Sequence, residues 1–147
     1  MSATLITTAK HERNVDEKFY TAKGVIRYKG DWIIVECPQD VVNYYKFWVE
    51  KFIGKKISTS YHKPHITVLA GKHEQGLSKH PLWAKYDGQT VEFKYNSHIF
   101  TDHPWFFLGK YYWLRVDCPR LADIRTELGL KPHLKWPYHL TIGYCGY

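Results

Sequence analysis

The chain has 147 residues, the length of one ordinary domain, and we expect residues 1–147 to form a single domain. It is 44% hydrophobic and 17% aromatic, which excludes a disordered tail, and no apolar run approaches the roughly 18 residues of a membrane span. Its net charge of +7 favours an anionic partner, such as a nucleic acid, a nucleotide or an acidic surface.

The predicted elements of the first half begin after residue 23, because residues 1–23 have no clear pattern. β-Branched and aromatic residues predict strands at 25–28 and 32–35, joined by a tight turn at residues 29–31. After Pro38 we expect a helix with Asp40 as its N-cap and Gly54 as its end. The apolar face predicted for this helix consists of Val41, Tyr44, Tyr45, Trp48 and Phe52.

The second half follows a connection at residues 72–90, which is rich in turn-forming residues and has no hydrophobic period. Strands are predicted at 91–95 and 111–116. A shorter helix follows, with a narrow apolar stripe that ends at Gly129 and consists of Leu121, Ile124 and Leu128.

An internal repeat relates the two halves. Residues 32–38 read WIIVECP and residues 113–119 read WLRVDCP, and each copy is followed by a helical pattern and then by a strand with His-x-Thr. These strands read HITV at 65–68 and HLTI at 139–142. The odd number of cysteines argues against a disulfide framework, and Cys37 and Cys118 are predicted to be small buried residues at the ends of equivalent strands.

The chemistry is carried by the two His-x-Thr motifs together. Alternate side chains of a strand share a face, so each motif places its His and Thr on one face and its apolar residues on the other. If a pseudo-twofold axis relates the halves, both motifs line one cleft. Two imidazoles on either side of a phosphate act as base and acid, two hydroxyls hold its oxygens, and no metal or other cofactor is required. The predicted catalytic residues are His65, Thr67, His139 and Thr141.

These paired motifs on a duplicated strand-helix-strand frame resemble the 2H phosphoesterase superfamily, over about residues 24–144. The resemblance implies an α+β fold of two pseudo-twofold lobes, with antiparallel sheets around a central groove. The lobes would span residues 24–71 and 91–147. It also implies metal-independent cleavage of phosphodiesters, with the histidines as the acid/base pair and the threonines as phosphate ligands.

The function expected from these residues is cleavage of 3',5' linkages in cyclic or short oligonucleotides. The small size resembles phage-encoded members of the superfamily that destroy cyclic oligonucleotide signals of bacterial defence, which implies a cytoplasmic location in the host. One alternative is an RNA-terminus phosphodiesterase acting on 2',3'-cyclic or 2',5' linkages. Another is a non-catalytic module that binds nucleotides or RNA, and a third is a structural protein with an incidental repeat. No membrane and no obligate protein partner is expected.

Two further patterns concern substrate binding. Aromatic residues outside the core pattern are candidates for stacking on bases, although capping of the core is the alternative for each; they are Tyr61, Trp105, Trp136 and Tyr138. The windows 51–73 and 128–147 contain no acidic residue and hold five and two lysines, which equals the whole net charge. Each window contains one His-x-Thr. The remaining histidines have no metal-ligand spacing, and no metal site is expected.

Overall fold

In the computed structural model, residues 18–59, 62–72, 74–102 and 109–146 are described, together with the backbone of residues 6–8. These ranges contain seven strands, two α-helices and a short 3-10 helix at Leu77–Lys79. In chain order the elements are β1 (Ile6–Thr8), β2 (Phe19–Lys29), β3 (Trp32–Glu36), α1 (Gln39–Ile53), β4 (His65–Leu69), β5 (Thr90–Asp102), β6 (Gly109–Asp117), α2 (Pro119–Glu127) and β7 (His139–Gly146).

Six of these strands close into a ring. The spatial order is β5-β2-β3-β4-β7-β6, and β6 pairs again with β5, so the sheet closes on itself. Every pairing in the ring is antiparallel. β1 pairs in parallel with residues 99–101 of β5, beyond the part of β5 that pairs with β2. Each half of the chain thus contributes three ring strands and one helix.

The predicted α+β fold of two lobes around a groove is therefore wrong. The protein is mostly β, a closed six-stranded antiparallel barrel with two short helices in the described ranges. The strand-helix-strand units predicted from the repeat are present, but the edge strands of one unit pair with the edge strands of the other. β4 joins β7 on one side, and the long strands β2 and β5 join on the other. Local sequence pattern specifies strands and does not specify which edges meet, because the ladder uses backbone groups that every residue has.

The main hydrophobic core lies between the helices and the outer face of this ring. Val42, Tyr45 and Val49 of α1 and Leu121 and Ile124 of α2 belong to one buried cluster with alternate residues of the strands. The strand residues of this cluster include Ile33, Val35, Ile66, Val68, Leu114, Leu140 and Ile142. A ring of six strands is too narrow to enclose a helix, so the helices cover its outside and the alternate residues point inward.

The helix boundaries agree with the sequence pattern better than the helix faces do. α1 ends at Gly54, which has the left-handed φ of 74° that favours glycine, but it begins at Gln39 after Pro38, without a side-chain cap. The predicted apolar face of α1 is partly wrong. Its buried side chains include Val42 and Val49, whereas Phe52 is 67% exposed. The face of α1 that contacts the sheet is therefore rotated about the helix axis relative to the predicted face.

Two short sequence predictions are confirmed. β2 and β3 form a hairpin whose turn is Gly30-Asp31, with Gly30 at a φ of 57°. Cys37 and Cys118 directly follow β3 and β6, and both are buried free thiols. Burial raises the pKa of the Cys37 thiol to about 12. In the described ranges, no helix has both the length and the apolar character needed to cross a membrane.

Candidate functional site

The two His-x-Thr motifs lie on β4 and β7, which are neighbours in the ring. Ile66 pairs with Leu140 across this seam, and both side chains are fully buried in the helix-covered core. Since the strands are antiparallel, this pair puts His65 beside Thr141 and Thr67 beside His139. All four half-buried side chains therefore share the inner face of the ring, on adjacent strands, whereas the sequence predicted that the two pairs face each other across a cleft between two lobes.

The spacing of this cluster suits a phosphate. Directly opposite residues of an antiparallel pair have Cβ atoms about 5 Å apart, and diagonal neighbours are about 7–8 Å apart. His65 and His139 are diagonal neighbours, so this general spacing leaves room for a group the size of a phosphate between them. The proximity also has an electrostatic effect, because His65 contributes to lowering the pKa of His139.

Both imidazoles are held in the same way. The Nδ1 atom of His65 lies 2.9 Å from the carbonyl oxygen of Lys63, and Nδ1 of His139 lies 3.0 Å from that of Pro137. A carbonyl oxygen only accepts hydrogen bonds, so each Nδ1 carries a proton and donates it. The remaining ring nitrogen, Nε2, is then a base in the neutral histidine and an acid in the protonated one.

His139 has the more enclosed environment. Burial lowers its pKa, the hydrogen bond to Pro137 acts in the opposite direction, and the charge of His65 lowers it further. The ring of Trp113 lies edge-on to His139 with centroids 5.7 Å apart, and its Nε1 donates to Asp102 at 2.7 Å. Neutral His139 is therefore favoured, and its position is fixed by an anchored aromatic wall.

A different charge stands beside each histidine. On β3, Glu36 is the pairing neighbour of His65, whereas on β6 Arg115 is the neighbour of His139. Aligning the sequence repeat instead equates Glu36 with Asp117. Relative to that alignment, β6 is shifted by two residues along β7, so Arg115 and not Asp117 lies beside His139. Asp117 pairs with Lys94 on β5. Arg115 is a residue of this site that the sequence pattern did not predict, since its only signal is its position two residues after Trp113 on the same face of a strand.

The carboxylate of Glu36 is neutralised by neighbouring cations. Lys29 Nζ lies 3.2 Å from Glu36 Oε2, and Arg27 Nε lies 3.3 Å from Oε1. The hydrogen bond from Lys29 is the largest cause that lowers the pKa of Glu36. Arg27 and Lys29 alternate on β2 and pair with β3, so their cationic groups lie on the same inner face as His65.

A cavity of about 660 Å³ opens next to His65. Its other lining residues come from the β2–β3 hairpin and from the segment before β4, and they are Lys29, Trp32, Ile34, Glu36, His62 and Lys63. The volume is in the range of small-molecule sites, which are mainly apolar with a few placed polar groups. Trp32 is 37% exposed, so its indole lies at the open side of this cavity.

The four predicted base-stacking aromatics have different outcomes. Tyr61 and Trp105 lie outside the described residues. Trp136 is exposed and lines a second cavity with Arg125 and Leu134. Tyr138 packs against the helix-covered core, on the face opposite His139, and its hydroxyl donates to the carbonyl of Pro132 at 2.8 Å. The structure therefore brings neither of the two described aromatics to the His/Thr cluster, and their role in substrate binding stays a prediction.

The positive charge at the site has a partly different source from the one predicted. Of the lysines in the acid-free windows, Lys63 lines the cavity beside His65. Arg27, Lys29 and Arg115 come from β2 and β6, outside both windows. Among the described residues, no three His, Cys, Asp or Glu side chains form a group that could hold a metal ion.

Comparisons with known proteins identify no relative. No protein-family model matches the chain, and neither a curated protein nor a solved structure matches it.

Proposed function

We propose that this protein is a metal-independent phosphodiesterase of the 2H type, which cleaves 3',5' linkages of cyclic or short oligonucleotides. The observation that carries the proposal is the pairing of Ile66 with Leu140, which brings both His-x-Thr motifs onto one inner face. The matching hydrogen bonds from Nδ1 of His65 and His139 to backbone carbonyls support it, because they leave both Nε2 atoms available for proton transfer.

In the proposed reaction, one histidine accepts the proton of a ribose 2'-hydroxyl, and the 2'-oxygen attacks the adjacent phosphorus. The bond between phosphorus and the 5'-oxygen breaks, and the other histidine donates a proton to that oxygen. The product is linear and ends in a 2',3'-cyclic phosphate, which water can open in a second step. The lowered pKa of His139 favours it as the base, and His65 is then the acid.

Other side chains of the inner face would stabilise the transition state. Thr67 and Thr141 each stand beside one histidine and would donate hydrogen bonds to the non-bridging oxygens. Arg115, beside His139, would add a fixed positive charge as negative charge develops on the phosphorane. These residues supply the charge stabilisation that a metal ion provides in other phosphodiesterases.

The test is hydrolysis by the full chain in EDTA. The substrates are a 3',5'-linked cyclic dinucleotide, RNA ending in a 2',3'-cyclic phosphate, and a 2',5'-linked oligonucleotide. We expect opening of the cyclic dinucleotide, and each of His65→Ala and His139→Ala should reduce the rate about 100-fold to 10,000-fold. His80→Ala, in the connection before β5, is the matched control and should keep full activity.

Full activity in both His65→Ala and His139→Ala would show that the proposal is wrong, as would a rate abolished by EDTA and restored by a divalent metal. Cleavage of only the 2',3'-cyclic or the 2',5' substrate would replace the proposed substrate by an RNA terminus. Salt-sensitive binding without turnover of any substrate would identify a nucleotide-binding module instead.

A further inference from the structure

The two halves of the site differ in how much space they leave beside the histidines. On β6, Trp113 pairs with Thr141, and its ring is buried and stacks on Phe100 with centroids 4.8 Å apart. On β3, the corresponding neighbour of Thr67 is Ile34. An isoleucine is much smaller than a tryptophan, so the inner face is filled on the His139 side and open on the His65 side. The cavity of about 660 Å³ occupies the open side.

The lining of this cavity combines a flat aromatic surface with positive charge. Trp32 and Ile34 alternate on β3 and supply the apolar wall. Lys29 and Lys63 supply ammonium groups, and Lys29 also pairs with Glu36 at 3.2 Å. A planar aromatic group carrying a nearby phosphate matches both features, because bases stack on indole rings and phosphates attract lysines.

We infer that the cavity between Trp32 and His65 is a nucleobase subsite. It holds the base of the nucleotide on one side of the scissile phosphate, stacked on the Trp32 indole, and Lys29 and Lys63 contact that nucleotide's phosphate. This inference rests on the proposed function, since the scissile phosphate is the one between His65 and His139. Because the base is recognised only on the His65 side, the subsite would fix the orientation in which a substrate binds to the pseudo-symmetric site.

The experiment measures binding separately from cleavage. Adenosine 5'-monophosphate and ribose 5-phosphate, which lacks the base, are titrated into the full chain and followed by NMR or calorimetry. We expect the wild-type protein to bind the nucleotide more tightly than the sugar phosphate. Trp32→Ala should weaken nucleotide binding roughly 5-fold to 150-fold, as expected for one lost base stack, and leave ribose 5-phosphate binding unchanged.

Three further variants make the result specific. Trp32→Phe keeps an aromatic platform and should restore most of the affinity. Ile34→Trp reproduces in the first half the filling that Trp113 provides in the second, so it should block the nucleotide and spare the sugar phosphate. Phe52→Ala removes an exposed aromatic of α1 and is the matched control, with no expected effect.

Equal binding of the two probes by the wild-type protein would overturn the inference. So would nucleotide binding that is unchanged in both Trp32→Ala and Ile34→Trp. Base-dependent binding that is lost in these variants supports the subsite even in a protein that cleaves no phosphodiester, so the failure of the proposed reaction and the failure of the subsite give different results.

Discussion

Arg115 is the direct neighbour of His139 across the pairing of β6 with β7. Its guanidinium also lies 5.3 Å from the centre of the Phe100 ring, which holds the cation against an aromatic wall. A fixed cation at this position attracts an anion to the face of the sheet that His139 occupies. The pairing therefore places a charge that attracts phosphate next to the proposed base.

The first prediction concerns this arginine. Arg115→Gln should lower kcat about 100-fold to 1,000-fold, the usual effect of removing one transition-state donor, with a smaller change in KM. Steady-state kinetics with the cyclic dinucleotide measures both constants. Arg120→Gln on α2, whose guanidinium lies over Tyr86, removes the same charge elsewhere and should leave kcat unchanged. A similar loss in both variants would indicate a general effect of net charge and not a role at the site.

The second prediction concerns the pH dependence of the rate. Burial lowers the pKa of His139, so its neutral form persists below the value of about 6.5 that is usual for histidine. If His139 is the base, the acid limb of the kcat/KM profile should lie below pH 6.5. Asp102→Asn removes a carboxylate whose charge raises the pKa of His139, so it should move that limb to lower pH. An acid limb that lies well above pH 6.5 in the wild-type protein would contradict the assignment of the base.

The third prediction concerns the free energy of unfolding, which depends on pH because the pKa of His139 is lowered in the folded protein. Because the pKa of His139 is lower in the folded protein, the unfolded chain binds more protons between that lowered value and the usual value of about 6.5. Unfolding therefore becomes easier as the pH falls through this window. Above the window His139 is neutral in both states, so its stability contribution is fully present and no longer changes with pH. His139→Gln should lose less Tm than the wild-type protein between pH 7.5 and pH 5.5. Equal losses of Tm would show that His139 does not carry the effect.

The fourth prediction concerns a buried ion pair behind β4. Arg125 is 3% exposed, and its guanidinium donates to both carboxylate oxygens of Glu74 at 2.9 and 2.7 Å. It also donates to the carbonyls of Val68 and Lys131, which ties α2 to the end of β4. Glu74→Gln leaves a buried cation without its partner and should lower the free energy of unfolding by about 3–5 kcal/mol.

Urea denaturation measures this change, and the exposed pair of Lys85 with Glu127 provides the control. These groups lie 3.3 Å apart at the surface, where solvent screens their charges, so Lys85→Gln should cost far less than Glu74→Gln. Equal effects of Glu74→Gln and Lys85→Gln would mean that burial adds nothing to the Arg125 pair.

The local features of the site were predictable because each depends on a few neighbouring residues. Because side chains alternate along a strand, His and Thr of HITV and HLTI must point away from the face on which Ile66 and Leu140 are buried. The structure has this arrangement. The hairpin at Gly30 and the helix end at Gly54 follow from backbone conformations that favour glycine. The buried ends of the two repeat strands, at Cys37 and Cys118, follow in the same way from the pattern.

The closure of the sheet and the two different walls of the site required the tertiary structure. Which strand edges pair depends on the combined packing of distant segments, and a shift of two residues keeps every side chain on its face while changing its neighbours. That shift gives His139 the cation of Arg115, where the repeat alone would give it the carboxylate of Asp117. The sequence by itself determined that two His-Thr pairs face away from the core. Only the tertiary structure decided that they share one seam, with a filled wall on the side of Trp113 and an open cavity on the side of Trp32.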